Sequence, residues 1–435
     1  MTPDSMFANS KILVVGTTED YVAWLREAAP LEALYLVDAE GRNRRAPTLA
    51  SSEDEIITDL SQPEGVWEAL SHHLRTLRLT LSGIVCYDCE YMVLAADLSN
   101  RLHLSYPSLE AILHSRDKFL SKSIWRREGI ACPMAREIKT MEEALLFFSQ
   151  AEGPCVMKPL SGSGSELVFI MENEAEVRDG FLKVREGLEN RAGSAMYGSE
   201  PSPPMMMERF IKGEEYSCDF VVEKDRVNIL RLSRKHPYPN GPFGTTWAYV
   251  LLPISFFHGA SFSLGERLGK AAAALGVDRA ICMADFIVQD GAPHFLEMTP
   301  RPGGDCLPHL LKAFFGFDML KFAFEFSRAA SGPTTSPYGA IQENSYAGVR
   351  IFAEKAGSLK KIQTESVTEV FPVVDYYWKY SEGHRVAMPP EDYDSWILGH
   401  MAVRLDPAQD LFNQLLEIKK RIHVEMAPWD LMKSD

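Results

Sequence analysis

The chain has 435 residues, 46% of them apolar and 24% charged, and carries a net charge of −15. That length points to about two to four domains rather than one, and the acidic balance excludes nucleic acid as the main partner, because phosphate neutralisation needs a basic face. No basic-then-apolar leader opens the chain and its longest apolar stretch, Tyr249 to Phe257, is far too short to cross a bilayer, so a cytoplasmic protein with no membrane partner is expected. Seven dispersed cysteines suit a reducing compartment. Cys86 and Cys89 form one C-x-x-C with no second pair at zinc spacing, which favours structural thiols.

In chain order, Lys11 to Val15 reads as a buried strand, followed by Gly16 and a helix from Glu19 to Ala29. Leu34 to Val37 is a second strand, Val66 to Leu77 a helix and Gly83 to Cys86 a third strand. Strands alternating with helices imply a small parallel sheet. Gly16 stands where a nucleotide loop could begin, but without G-x-G-x-x-G a structural role is favoured.

A helix is expected over 115–129, with Ser115 as N-cap and Gly129 as stop. Lys118 and Lys122 lie one turn apart on it, a spacing usual for solvated lysines. Cys155 to Pro159 is a strand with Lys158 near its end. Ser161, Gly162, Ser163, Gly164 and Ser165 follow, then a strand from Leu167 to Met171. This is not the Walker pattern, yet a Gly/Ser hairpin tip can approach phosphates closely through its N–H groups. Glu176 to Glu189 reads as a helix and 190–204 as a mobile, breaker-rich loop. Strands are expected at Met205 to Glu208, Tyr216 to Val222 and 226–232. The run Arg231 to His236 is basic in an acidic chain, suiting a substrate carboxylate or a solvated strand end. Leu264 to Leu275 is a helix.

The stretch 285–304 carries the most chemistry. Phe286 to Val288 and Phe295 to Met298 suit short strands, joined at the turn signal Asp290-Gly291. Such a hairpin brings Asp285 and Glu297 near one end of a ribbon, with Thr299 on the face of Glu297. Pro300 and Pro302 hold Arg301 extended. Two carboxylates and an arginine can hold a hard metal ion and the phosphates it bridges, or form no more than a surface ion pair. Beyond it, Leu307 to Phe326 reads as helix and 329–345 as a linker. Short strands follow over 347–405, and the last helix runs from Ala408 to about Val424. His236, His294 and His309 are bases by type only, and none is assigned.

These pieces, in this order, resemble the ATP-grasp superfamily, and within it the carboxylate–amine ligases. The match runs over essentially the whole chain. It implies an α/β (α+β) fold with a Rossmann-like pre-ATP-grasp domain at 1–112, the nucleotide-binding ATP-grasp lobes at 113–330 and a β-rich C-terminal subdomain with a terminal helix at 331–435. Lys118 in Asp117-Lys118…Gly129-Ile130…Pro133, and Lys158 in Val156-Met157-Lys158-Pro159, would reach the nucleotide phosphates. Ser161 to Ser165 would be the lid over them. Glu208, Arg209, Phe210 and Ile211 would form the adenine hinge, and Glu215 the ribose ligand. Asp285, Glu297 and Thr299 would hold Mg²⁺ (or Mn²⁺), where the family usually has glutamate, glutamate and asparagine. Arg301, Lys158, Gly303 and Gly304 would be the catalytic set. Gly303-Gly304-Asp305, Leu307-Pro308 and Gly316-Phe317-Asp318 look like the segment typical of L-amino-acid ligases and related peptide-forming enzymes.

The resemblance implies activation of a small carboxylate, such as an amino acid, by ATP as an acyl phosphate and its capture by an amine, with release of ADP and phosphate. The partners implied are small-molecule carboxylate and amine substrates, and dimerisation is common in the family. The alternatives are other ATP-grasp chemistry, such as bicarbonate-dependent carboxylation, and nucleotide binding without catalysis. No Ala-Met-Lys-Met tetrad is present to carry biotin. The asparagine-to-threonine departure at Thr299 weakens one metal position, because a hydroxyl is a poorer donor there than an amide carbonyl.

Overall fold

A computed structural model describes residues 10–38, 53–198, 203–239, 241–328 and 345–429. Its first unit comprises β1 (Ser10–Val15), α1 (Glu19–Ala28), β2 (Ala33–Asp38), β3 (Glu55–Thr58), α2 (Pro63–Leu77), β4 (Thr80–Val85) and α3 (Met92–Leu102). The strands lie parallel in the order β3-β2-β1-β4. β1 is apolar throughout its buried length because helices cover both faces of such a sheet. β3 has no counterpart in the sequence reading, since four residues carry too little periodicity to register.

Gly16 proves structural. Its φ is +52°, and a Cβ there would stand 2.1 Å from the Tyr91 ring. Gly16→Ala is expected to destabilise the chain by about 1–3 kcal/mol through this overlap and the unfavourable φ. Urea unfolding would measure it, and an unchanged midpoint would contradict the close approach.

The next unit begins with α4 (Leu109–Arg116) and α5 (Lys118–Arg127). The single helix expected over 115–129 is therefore two. Ser115 is not its cap; its hydroxyl donates back to the Ala111 carbonyl. Asp117 caps α5 instead, accepting from the Phe119 and Leu120 amides. Then come β5 (Ala135–Ile138), α6 (Met141–Ala151), β6 (Cys155–Pro159), β7 (Phe169–Met171), α7 (Glu174–Glu189) and β8 (Met205–Arg209). Their strands form an antiparallel sheet in the order β5-β8-β6-β7. Of the loop expected at 190–204, residues 199–202 lie outside the described residues.

The largest sheet uses β9 (Glu214–Glu223), β10 (Arg226–Pro237) and β11 (Thr246–Leu251), then α8 (Leu264–Ala274) across it, then β12 (Arg279–Gln289) and β13 (Ala292–Thr299). The helix expected from Leu307 to Phe326 is broken into α9 (Leu307–Phe315) and α10 (Met319–Phe326). Gly316, at φ +64°, ends α9 in the left-handed conformation. The linker expected at 329–345 lies outside the described residues except for Ser345.

The remaining elements are β14 (Tyr346–Phe352), β15 (Gly357–Gln363), α11 (Glu365–Thr368), β16 (Val373–Trp378), β17 (Arg385–Val386), β18 (Ile397–Arg404), α12 (Leu411–Arg421) and β19 (His423–Ala427). The final helix thus stops at Arg421, and its expected last residues enter a strand. β14, β18 and β16 continue the large sheet, whose order is β13-β12-β9-β10-β11-β14-β18-β16, while β15, β17 and β19 form a small sheet of their own. No helix among the described residues is long and apolar enough to cross a membrane.

Candidate active site

A cavity of about 560 Å³ opens between the β5–β8 sheet and the β13–β12–β9–β10 end of the large sheet. The cross-strand pairings that build its walls are non-local. β6 runs beside β8 with Val156 opposite Glu208, so Lys158, two residues on, shares the face of Glu208. Its Nζ lies 2.6 Å from Glu208 Oε1. Lys122 approaches Glu208 from α5, 3.1 Å from Oε2, and donates to the Leu296 carbonyl at 2.5 Å. Burial raises the Glu208 pKa, and the two ammoniums overcome that and hold it below the usual carboxylate range. Lys122 is fully buried, and burial pushes its own pKa down to about 8 against the pull of Glu208.

The opposite wall is the hairpin of β12 and β13. Asp285 and Glu297 are direct cross-strand partners, brought opposite each other by a bulge between Asp285 and Phe286 that shifts the register set at the turn by one residue. Lys118, at the start of α5, donates to the Gly162 carbonyl at 2.8 Å and lies 3.3 Å from Glu297 Oε2. Burial would raise the Glu297 pKa, but Lys118, Lys235 and Lys158 together bring it down to about 2. Glu215 enters from β9 beside Asp285, and Lys235 on β10 ion-pairs with both. Burial raises Glu215, opposed by Lys235 and reinforced by Asp285.

The loop Ser161 to Ser165 forms the roof. Gly164 and Ser165 have φ near +65° and +62°, and the Ser165 hydroxyl donates to the Gly244 carbonyl at 2.6 Å. The loop is thereby fastened to Gly244 across the opening. Arg209, Phe210 and Ile211 line the far end, where Phe210 and Phe243 meet edge to face at 6.1 Å.

The structure thus brings Lys118, Lys158, Ser161, Gly162, Ser163, Gly164, Ser165, Glu208, Arg209, Phe210, Ile211, Glu215, Asp285 and Glu297 to one cavity. Thr299, Arg301, Gly303 and Gly304 are not on its wall. Thr299 is buried at the end of β13, opposite Met283. Arg301 turns toward the loop after β4, where its Nε donates to Cys89 Sγ at 3.0 Å and Asp88 and Glu90 attract its charge. The Gly303 amide donates to Asp219 Oδ1 at 2.9 Å. Sequence reasoning missed Lys122 and Lys235. A signal existed for Lys235 in the basic run on β10, which alternation sorts into Arg231, Ser233 and Lys235 on one face and Arg234 on the other.

Asp88 is a further, half-buried carboxyl, pushed up to about 7 by desolvation first and Glu90 second. Its folded-state pKa exceeds the unfolded value of 3.8, so the folded chain keeps a proton the unfolded chain has lost. Stability should therefore fall as pH rises from about 4 to about 7. Asp88→Asn should flatten that slope in urea titrations across this window; an unchanged slope would show that Asp88 is ionised in the folded state.

The donor set fits a magnesium ion. Asp285 Oδ1 is buried with no hydrogen-bond partner, and Glu297 faces Asp285 across the ladder. No group of three or more His, Cys, Asp or Glu side chains among the described residues is arranged to hold a metal. Mg²⁺ bound with nucleotide needs only one or two carboxylates, because phosphates and water complete its shell.

Residues 151–309 match the model of the ATP-grasp domain. Among curated proteins, the chain is 22% identical over 332 residues to carnosine synthase 1 of Homo sapiens, covering 72% of this chain and 39% of that protein. It is 29% identical over 198 residues to D-alanine–D-alanine ligase A of Bacillus cereus, covering 43% and 58%. The chain thus spans less than two thirds of the length of these relatives. The L-amino acid ligase from Bacillus licheniformis superposes with a TM-score of 0.75 at 15% identity, covering 96% of this chain and 99% of that one. The biotin carboxylase domain of Hydrogenobacter thermophilus 2-oxoglutarate carboxylase gives 0.65 at 16%.

Proposed function

Taking as premise that this chain is an ATP-grasp protein, we propose that it is an ADP-forming carboxylate–amine ligase acting on amino acids or related small acids. The observation that carries this reading is the convergence of Lys118, Lys158, Asp285 and Glu297 on one cavity, from elements up to 179 residues apart. A carboxylate is a poor acylating agent because oxide leaves badly. Its oxygen attacks the γ-phosphorus of ATP, the bond to the β-phosphate oxygen breaks and ADP leaves. The amine nitrogen then attacks the acyl carbon, the C–O bond to phosphate breaks, and the nitrogen loses a proton.

No covalent nucleophile on the protein is needed, only positioning and neutralisation of charge. Lys118 and Lys158 hold phosphate oxygens as point charges. Asp285 and Glu297 would hold the Mg²⁺ (or Mn²⁺) that accompanies ATP and offsets charge on the transferring group. The loop at 161–165 keeps water from the acyl phosphate. Arg301, whose Nε reaches Cys89 in the loop after β4, would receive the organic substrates, with Gly303 and Gly304 following it in the chain. A cytoplasmic setting agrees with seven free cysteines.

The test is a phosphate-release screen over paired amino acids with ATP and Mg²⁺, with mass detection of products. A product equal to the two substrates less one water is expected. ADP release that depends on bicarbonate instead, or on no added acid and amine, would overturn the assignment.

A further inference from the structure

Lys235 holds an unusual position on β10. The β12–β9 register places Asp285 opposite Ser217, and Glu215, two residues back on β9, shares that face. Lys235 projects between the two acids. Its Nζ donates to Asp285 Oδ2 at 2.7 Å and to Glu215, and only 11% of its side chain is exposed. On the other side of the hairpin, Glu297 is matched by Lys118. Each of the two carboxylates expected to take a metal ion is therefore already paired with an ammonium.

This pairing bears on the order in which ligands enter. Two carboxylates in one buried site repel unless a cation lies between them. A lysine ammonium 2.7 Å from Asp285 Oδ2 takes both the space and the charge that a divalent ion would need. A metal coordinated to that oxygen would stand at about 2.1 Å, in contact with the ammonium and repelled by it. Asp285 Oδ1 remains without a partner, but one oxygen is too small a share of a six-coordinate shell. Nucleotide changes the balance, because its phosphates supply both the missing ligands and a new counter-ion for the lysine. A lysine suits this exchange better than an arginine would, being a compact charge on a flexible stem with no fixed bidentate geometry.

We propose that Lys235 is an internal counter-ion that closes the metal position: the divalent cation enters only together with nucleotide, and Lys235 then passes from Asp285 to the phosphates. The inference rests on the ligase reading's assignment of Asp285 as a metal ligand. It needs no turnover, so it can fail or hold independently of which substrates are joined.

The experiment is an electron paramagnetic resonance titration of nucleotide-free protein with Mn²⁺ alone, then with ADP present. Wild type should leave Mn²⁺ free until ADP is added. Lys235→Met should bind Mn²⁺ without nucleotide at least about tenfold more tightly than wild type, and the added Asp285→Asn change should remove that gain. Lys235→Arg, which keeps the charge, should exclude Mn²⁺ as wild type does. Equal Mn²⁺ affinity in nucleotide-free wild type and Lys235→Met would overturn the proposal. If Lys235→Met does not fold, the wild type decides alone: saturable Mn²⁺ binding without nucleotide overturns it, and binding seen only with ADP supports it.

Discussion

Replacing Glu297 by alanine is expected to lower substrate-dependent ADP release by roughly 10²–10³-fold or more. The residue faces Asp285 across the β12–β13 ladder and lies 3.3 Å from the Lys118 ammonium. Its removal takes away one of the two carboxylates proposed to hold the metal ion and leaves Lys118 without its counter-charge. Glu297→Gln keeps the shape but not the charge and should reproduce most of the loss. The Glu297 pKa of about 2 means its charge persists through the neutral range. An acidic limb in the rate profile must therefore arise from another group. Lys158→Ala should fall in parallel, because it frees Glu208 from one partner and removes a cation proposed to hold the phosphates. A steady-state ADP assay with saturating amino acids measures both, and wild-type rates in the two variants would refute the assignment of this cavity.

The second large effect concerns stability. Arg231 is fully buried, its Nε 2.7 Å from Asp219 Oδ2, with further bonds to the Ser217 carbonyl at 3.0 Å and the Ser233 hydroxyl at 2.7 Å. Arg231→Met leaves the Asp219 charge buried without its partner, a change that costs about 3–5 kcal/mol. The urea midpoint should fall accordingly with the slope of the transition unchanged. Replacing both residues by apolar ones, Arg231→Met with Asp219→Leu, should recover much of that stability, because no isolated charge remains. It should not restore activity, since the Gly303 amide also depends on Asp219 Oδ1. A single variant within about 1 kcal/mol of wild type would show that water reaches this pair.

Where residues are near in sequence, local chemistry brought them to the same end of one hairpin. The turn at Asp290-Gly291 brings the two acids to the same end of the ribbon, but by its register alone Asp285 would face Leu296; a bulge between Asp285 and Phe286, which no local signal marks, puts it opposite Glu297. Helix starts were less legible. Ser115 and Asp117 are both competent caps, and which one serves depends on a bend between α4 and α5 that no local preference marks. The single helix expected from Leu307 to Phe326 failed at Gly316, where apolar periodicity outlasted a left-handed glycine.

The amino-acid order alone determined the strand and hairpin segments, the small-residue loop and the ordered acids and lysines that mark a nucleotide-binding chain, because each depends on neighbours within a few residues. Only the tertiary structure decided which charges meet. By helix spacing Lys122 belongs in solvent, yet Glu208 and the Leu296 carbonyl reach it from strands 86 and 174 residues away and make its burial tolerable. Arg301 follows the acids by only a few residues, yet the loop bearing Asp88 and Cys89, 212 residues back, draws it off the cavity wall. Coulombic attraction between buried groups falls off over a few ångströms of space and takes no account of distance along the chain, so those partnerships exist only once the sheets have closed.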